Sequence, residues 1–152
     1  MWIPLKMKRK IISIACSFLL CLSLSSCIDK GNPELYGNWA VLEVFYKDKD
    51  LLRQNSSSSI RISTTMDIDD ASKSILLPLN SKKKQYGYFT YFKKDDREWL
   101  EVTNSTDKRF DGVYLIHLEK EESFNKGKNQ RYSLILESKY IYIYATKTLV
   151  GI

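Results

Sequence analysis

The chain has few side chains that perform covalent chemistry at neutral pH. His117 is the only histidine, and Cys16, Cys21 and Cys27 are the only cysteines. Nucleophilic hydrolysis needs an imidazole beside the nucleophile and a carboxylate that orients it, and the sequence contains no Gly-x-Ser-x-Gly segment. We therefore expect a protein that is not an enzyme, with no catalytic residue and no cofactor. We expect His117 to be structural or to line a pocket.

Cys27 is the cysteine whose surroundings suggest a reaction of its thiol. It follows a basic segment and an apolar segment, Ile11 to Leu24, that contain no acidic residue, which is typical of a secretory signal. At about 1.5 Å per residue the apolar segment spans roughly 21 Å, less than the roughly 30 Å of a bilayer core. We therefore predict a removable leader over residues 1–26 rather than a transmembrane helix, with Met7 as an alternative start.

The four residues Leu24-Ser25-Ser26-Cys27 resemble the lipobox of bacterial lipoproteins. The resemblance implies that Cys27 becomes the lipid-bearing first residue and holds the protein on a membrane of the bacterial cell envelope, which we expect to be the outer membrane. An ordinary secretory signal with a coincidental cysteine is the alternative. Residues 27–34 are polar and interrupted by Gly31 and Pro33, so we interpret them as a short flexible tether.

Composition argues against a nucleic-acid partner. The formal net charge of +6 falls to +2 once the leader is removed, because the leader contains four basic residues and no acidic one. The remaining length suits one domain, predicted over residues 35–152. After removal of the leader, Cys27 is the only cysteine and His117 the only histidine, which excludes an internal disulfide and a Cys/His zinc site. Asp67, Asp69 and Asp70 could offer oxygens to Ca²⁺, but they lack the glycine and glutamate of an EF-hand loop, so we interpret them as a solvated turn and expect no metal.

Hydrophobic residues alternate with polar ones along most of the chain, which indicates β-strands with one buried face. About eight strands are predicted, the first of them nearly all apolar, which suggests burial on both faces or at a barrel closure. They are Trp39–Tyr46, Ser59–Ser63, Ser74–Leu79, Tyr86–Phe92, Trp99–Thr103, Gly112–Glu119, Arg131–Glu137 and Tyr140–Thr146. Short polar connections favour an antiparallel meander. Because an open sheet would expose two edges, we predict an all-β fold, a compact up-and-down barrel, with an open β-sandwich as the alternative. One turn of helix is predicted over Asp67–Lys73.

The segment Leu35-Tyr36-Gly37-Asn38-Trp39 resembles the Gly-x-Trp opening of lipocalins and of bacterial lipoproteins with lipocalin-like domains. The resemblance implies that Gly37 bends the chain into the first strand and that Trp39 plugs the closed end of the barrel. Two departures are visible. Lys147 stands where lipocalins have an arginine that packs across the tryptophan, and the chain is shorter than usual, which implies a cavity that is small or filled.

Tyrosine is the residue best suited to noncovalent recognition in this chain, which has ten. Tyr140, Tyr142 and Tyr144 share one face of the last strand, and Tyr86 and Tyr88 share a face of an earlier one. Their rings could line a pocket, stack on a sugar or form a ladder on the exterior of the sheet. We favour the exterior, because the opposite face of the last strand is aliphatic.

Two functions remain open. The first is a lipid-anchored lipoprotein whose lipocalin-like barrel binds a small hydrophobic or amphipathic ligand. The alternative is a non-enzymatic envelope interaction protein that contacts another protein or a polysaccharide through its Tyr-rich sheet face. The candidate contact residues for both are Tyr86, Tyr88, His117, Tyr140, Tyr142 and Tyr144.

Overall fold

The computed structural model describes residues 31–54, 64–79, 84–121 and 129–150. The predicted leader, Cys27 and the predicted strand Ser59–Ser63 lie outside these residues. Strands dominate the described part of the chain: β1 (Gly37–Tyr46), β2 (Lys49–Asp50), β3 (Thr64–Asp69), β4 (Ser74–Leu76), β5 (Tyr86–Lys94), β6 (Arg97–Thr103), β7 (Gly112–Glu121), β8 (Asn129–Glu137) and β9 (Ile141–Val150). The helical elements described are short: the 3₁₀ turns η1 (Pro33–Leu35) and η2 (Lys108–Phe110) and the helix α1 (Leu51–Gln54).

Eight of these strands close into an antiparallel up-and-down barrel. Consecutive strands from β3 to β9 pair with each other, β1 pairs with β3, and β9 returns to pair with β1. The short strand β2 pairs only with the end of β1. The predicted fold class and barrel are therefore confirmed, and the chain does not form the alternative open sandwich. Closure of the barrel pairs the edges that an open sheet would leave exposed.

The period of two in the sequence sets which side chains face inward. Along β8, Tyr132, Leu134 and Leu136 are buried and the residues between them are not. The same alternation in β9 buries Ile141 and Ile143. Successive side chains of a strand point to opposite faces, so each strand contributes one row to the interior and one to the exterior.

The inward rows form one continuous core that contains several large side chains. Those that are almost completely buried include Trp39, Met66, Leu100, Phe110, Tyr114 and Tyr132. Burial of each large apolar side chain contributes roughly 1.5–3 kcal/mol, which is the main stabilisation available to this domain. The interior of the described barrel is therefore occupied by the protein's own side chains.

Apolar residues also cover both ends of the barrel. At the lower end, which we define by the start of β1, the turn η1 buries Leu35 beside Trp39. At the upper end, where β1 ends and β9 begins, α1 buries Leu51 and Leu52. The turn η2 buries Phe110 at the same end.

The structure differs from the sequence-based predictions in two local segments. The helical turn predicted over Asp67–Lys73 is wrong: Asp67 and Asp69 belong to β3, because Met66 and Ile68 alternate into the core there. The turn η1 begins at Pro33, inside the segment interpreted as a tether, and the Asn32 side chain caps it by accepting from the Glu34 amide at 3.0 Å. Among the described residues, no helix has the length and apolar character needed to span a bilayer.

Candidate interaction surface

The tyrosines of the last strand lie on the outside of the barrel. Ile141 and Ile143 point into the core, so Tyr142 and Tyr144 project outward and are half-buried by their neighbours. Tyr140 stands just before β9 at the upper end and is 50% exposed. These rings are accessible to a partner and do not line the interior.

The remaining candidate residues divide between two sides of the barrel. His117 projects from the exterior of β7. It lies opposite Ile135 of β8, which in turn lies opposite Tyr144 of β9, so His117 shares a surface with the tyrosines. Its Nε2 lies 3.9 Å from a carboxylate oxygen of Glu137. Tyr86 and Tyr88 are 45% and 59% exposed, but they project from β5, with three strands between them and β9. We call the exterior of β7, β8, β9 and the end of β1 the tyrosine face.

Strand register extends this face into a row that the sequence did not reveal. The row crosses six strands through consecutive pairs: Phe45, Tyr142, Glu137, Leu115, Trp99 and Phe92. The rings of Phe92 and Trp99 are nearly parallel at 9°, with centroids 6.4 Å apart, and those of Phe45 and Tyr142 are 6.4 Å apart. Cross-strand aromatic pairs of this kind stabilise a sheet and leave an apolar surface on its outside. The alternation in the sequence indicates which residues of each strand face outward. The alignment of these residues into one row depends on the strand register.

A groove of about 310 Å³ lies at the upper end of the tyrosine face, and we call it the Tyr140 groove. Its lining is formed by Phe45, Lys47, Asp48, Glu137, Ser138, Lys139, Tyr140, Ile141 and Tyr142. The backbone fixes its shape: the Lys47 amide donates to the Tyr140 carbonyl at 2.9 Å, and Ser138 Oγ accepts from the Ile141 amide at 3.0 Å. Hydrogen bonds thus hold both the carbonyl and the amide of the peptide group that joins Tyr140 to Ile141.

Two ammonium groups flank the Tyr140 ring in this groove. The Nζ atoms of Lys47 and Lys139 each lie 5.1 Å from its centroid, and Lys47 also lies 5.2 Å from the centroid of Tyr46. Lys47 and Asp48 form the two-residue turn between β1 and β2, with φ of 48° and 63°. A turn with positive φ at both positions matches the twist of a hairpin, although it usually contains asparagine or glycine.

At the lower end, Lys147 occupies the place that the resemblance assigns to an arginine. Its Nζ lies 4.5 Å from the centroid of Trp39 and donates to the carbonyl oxygens of Glu34 and, at 2.9 Å, Tyr36. Burial lowers the pKa of Lys147, and the nearby Glu34 carboxylate partly opposes that shift. Trp39 Nε1 in turn donates to the Leu35 carbonyl at 2.8 Å. Gly37 lies between Leu35 and Trp39 and has φ of +103°, which residues with an L side chain rarely adopt.

The aspartates considered for Ca²⁺ are engaged in local contacts. Asp69 accepts from the Ala71 amide at 3.0 Å and from Ser72 Oγ at 2.5 Å, and Asp70 pairs with Lys73. The hydrogen bonds from Ser72 and Ala71 lower the pKa of Asp69. Within the described ranges, no group of three or more His, Cys, Asp or Glu side chains could hold a metal ion.

Comparison of the chain with protein-family models, with curated protein sequences and with solved structures gives no match. The likeness to lipocalins therefore rests on two features of this protein. These are the closed antiparallel barrel of eight strands and the burial of Trp39 at its lower end.

Proposed function

We propose that the protein is a non-enzymatic recognition module of the bacterial cell envelope, held to a membrane by a lipid on Cys27, which binds its partner through the tyrosine face. One observation carries the proposal: the barrel's own large side chains occupy its interior, while aromatic rings are displayed on its exterior. Tyrosine combines a rigid apolar ring with a polar tip and is a frequent anchor in recognition surfaces.

The position of the tether supports this use of the surface. Gly31 precedes η1 at the lower end, and four residues reach at most about 14 Å, so a lipid on Cys27 would hold that end near the membrane. The upper end, with Tyr140, then points away from the membrane. The lipobox-like residues Leu24 to Cys27 support the anchor itself.

The face can be tested by affinity capture from solubilised envelope fractions. The triple variant Tyr140→Ser, Tyr142→Ser, Tyr144→Ser should lose a component that the unaltered protein retains. The matched control is the double variant Tyr86→Ser, Tyr88→Ser, which removes exposed rings from the other side of the barrel and should retain that component. Equal recovery by the triple variant, with an unchanged β-sheet circular-dichroism spectrum, would refute the proposal.

The anchor is tested separately by intact-mass measurement of protein extracted from membranes. The expected product begins at Cys27 and carries acyl chains, whereas the Cys27→Ser variant should lack them and leave the membrane fraction. An unmodified residue 27 in the native product would exclude the anchor without affecting the tyrosine face.

Binding of a small hydrophobic or amphipathic ligand inside the barrel is the second candidate. The observations that favour it are the closed barrel of eight strands and the burial of Trp39 at its lower end, where the resemblance to lipocalins implies a tryptophan. Native mass spectrometry after incubation with an envelope lipid extract tests it. A stoichiometric ligand that survives the triple tyrosine substitution would establish this function in place of the first.

A further inference from the structure

Two lysines in the Tyr140 groove, Lys47 and Lys139, have no carboxylate partner within the described residues. Three other cations near the upper end have carboxylate partners: Arg109 pairs with Asp107 at 2.6 Å, Lys108 with Asp111 at 3.0 Å and Arg53 with Asp50 at 3.3 Å. The contacts of the Lys47 and Lys139 ammonium groups in that part of the chain are instead with tyrosine rings. Their charges are therefore available to an anion.

The groove also presents the apolar surface that a sugar ring needs. The Tyr140 ring is 50% exposed, and Phe45 and Tyr142 line the adjoining surface with their centroids 6.4 Å apart. The C–H face of a pyranose packs on such rings, as other apolar groups do. Asp48 and Glu137 line the same groove and supply acceptors for hydroxyl groups.

We infer that the Tyr140 groove binds a carboxylated saccharide of the uronate type, with the sugar ring on Tyr140 and the carboxylate held by Lys47 and Lys139. This inference rests on the proposed function and specifies the partner of the same face. The two carboxylates in the lining, Asp48 and Glu137, balance the formal charge of Lys47 and Lys139 and would repel a phosphate dianion more strongly than a single carboxylate.

The location of the groove excludes the headgroups of the anchoring membrane as its occupant. The groove joins the end of β1 to the start of β9, at the upper end, whereas Gly31 and η1 lie at the lower end. A lipid on Cys27 would hold the lower end toward the membrane, so the groove would face the polymers beyond it. This placement favours a saccharide over membrane headgroups as the occupant.

The experiment is titration calorimetry of the lipidated protein reconstituted in phosphatidylcholine vesicles, with hexagalacturonate as the probe. Fully methyl-esterified hexagalacturonate is the matched ligand, because esterification removes the charges and keeps the sugar rings. Inorganic phosphate and phosphatidylglycerol vesicles are the other two arms. We expect binding of hexagalacturonate, weakened by added NaCl because salt screens exposed charges, and little binding in the other three arms.

Variants then test the two parts of the groove. Tyr140→Ser should weaken binding about three- to tenfold, and Lys47→Gln and Lys139→Gln about two- to fivefold each. Lys94→Gln, which removes an exposed lysine at the lower end of β5, and Tyr88→Ser, which removes an exposed ring from β5, should leave the affinity unchanged. All five side chains are exposed, so each variant should keep the barrel fold.

Several outcomes would overturn the inference. They are equal affinity for the ester, unchanged affinity in Tyr140→Ser, and binding of the vesicles or of phosphate alone. If hexagalacturonate does not bind but the envelope capture remains dependent on Tyr140, Tyr142 and Tyr144, the saccharide is wrong and the proposed function stands. If the capture also fails to depend on these residues, both are wrong.

Discussion

Lys147 near the end of β9 lies with its Nζ 4.5 Å from the centroid of the Trp39 ring near the start of β1. The same nitrogen donates to the carbonyl oxygens of Glu34 and Tyr36, on either side of Leu35. One side chain therefore connects the last strand, the first strand and the turn η1. The lower end of the barrel is closed by this contact as well as by burial of Leu35.

Replacement of Lys147 by methionine should lower the free energy of unfolding by about 1–3 kcal/mol. The substitution removes the cation from the indole ring and leaves two backbone carbonyl oxygens without their donor, while it keeps most of the side-chain volume. Urea denaturation followed by tryptophan fluorescence measures the change. Lys147→Arg is the control and should cost less, because a guanidinium keeps both the charge and the donors.

Tyr114→Phe should destabilise the barrel by about 1–2 kcal/mol. Tyr114 is 1% exposed and its hydroxyl donates to the Phe110 carbonyl at 2.7 Å, so the variant leaves a buried acceptor unsatisfied without opening a large cavity. Urea denaturation followed by tryptophan fluorescence measures this change as well. Tyr88→Phe, which alters an exposed hydroxyl, should change stability little, and equal stability of the two variants would contradict the role given to Tyr114.

Stability should fall between about pH 10 and pH 12, and Tyr36 should contribute to the fall. Burial, and next the negative charge of Asp70, raise the pKa of Tyr36 to about 12 from its ordinary value of 10.0. In this interval the unfolded chain releases the tyrosine proton while the folded protein keeps it, so rising pH favours unfolding. Urea denaturation of the protein and of Tyr36→Phe at pH 9 and pH 11 tests this. The variant should lose less stability between the two values, and an identical loss would contradict the assignment.

The inner and outer aromatic residues should differ in their contribution to stability. Phe110 is 1% exposed in the core, so Phe110→Ala should cost about 3–5 kcal/mol through lost burial and the cavity it creates. Trp99→Ala removes a larger ring that stacks on Phe92 outside the barrel and should cost about 1–2 kcal/mol. Thermal or urea unfolding of the two variants compares them directly. A larger loss for Trp99→Ala would show that the outer row is part of the stabilising core.

The sequence alone determined the fold class because strand formation follows a local pattern. The alternation of Ile141 and Ile143 with Tyr142 and Tyr144 predicts a strand with an aliphatic inner face, and the structure has that orientation. The sequence-based prediction of a helical turn over Asp67–Lys73 was wrong, because Asp67 and Asp69 belong to β3. Partners distant in the chain contribute to the structure of that segment, because Asp67 pairs with Asn38 and Ile68 pairs with Gly37 of β1.

The relationships that define the candidate site depend on tertiary structure. Phe45 and Tyr142 are far apart in the chain and become neighbours only because β1 pairs with β9 in one register, and a shift of one residue would turn every side chain to the other side. The approach of Lys47 to Tyr140 likewise requires two turns to meet at the upper end. Hydrophobic period is a property of consecutive residues, whereas closure and register are properties of the whole barrel. The sequence therefore identified the tyrosines, and the folded chain decided which of them share a surface.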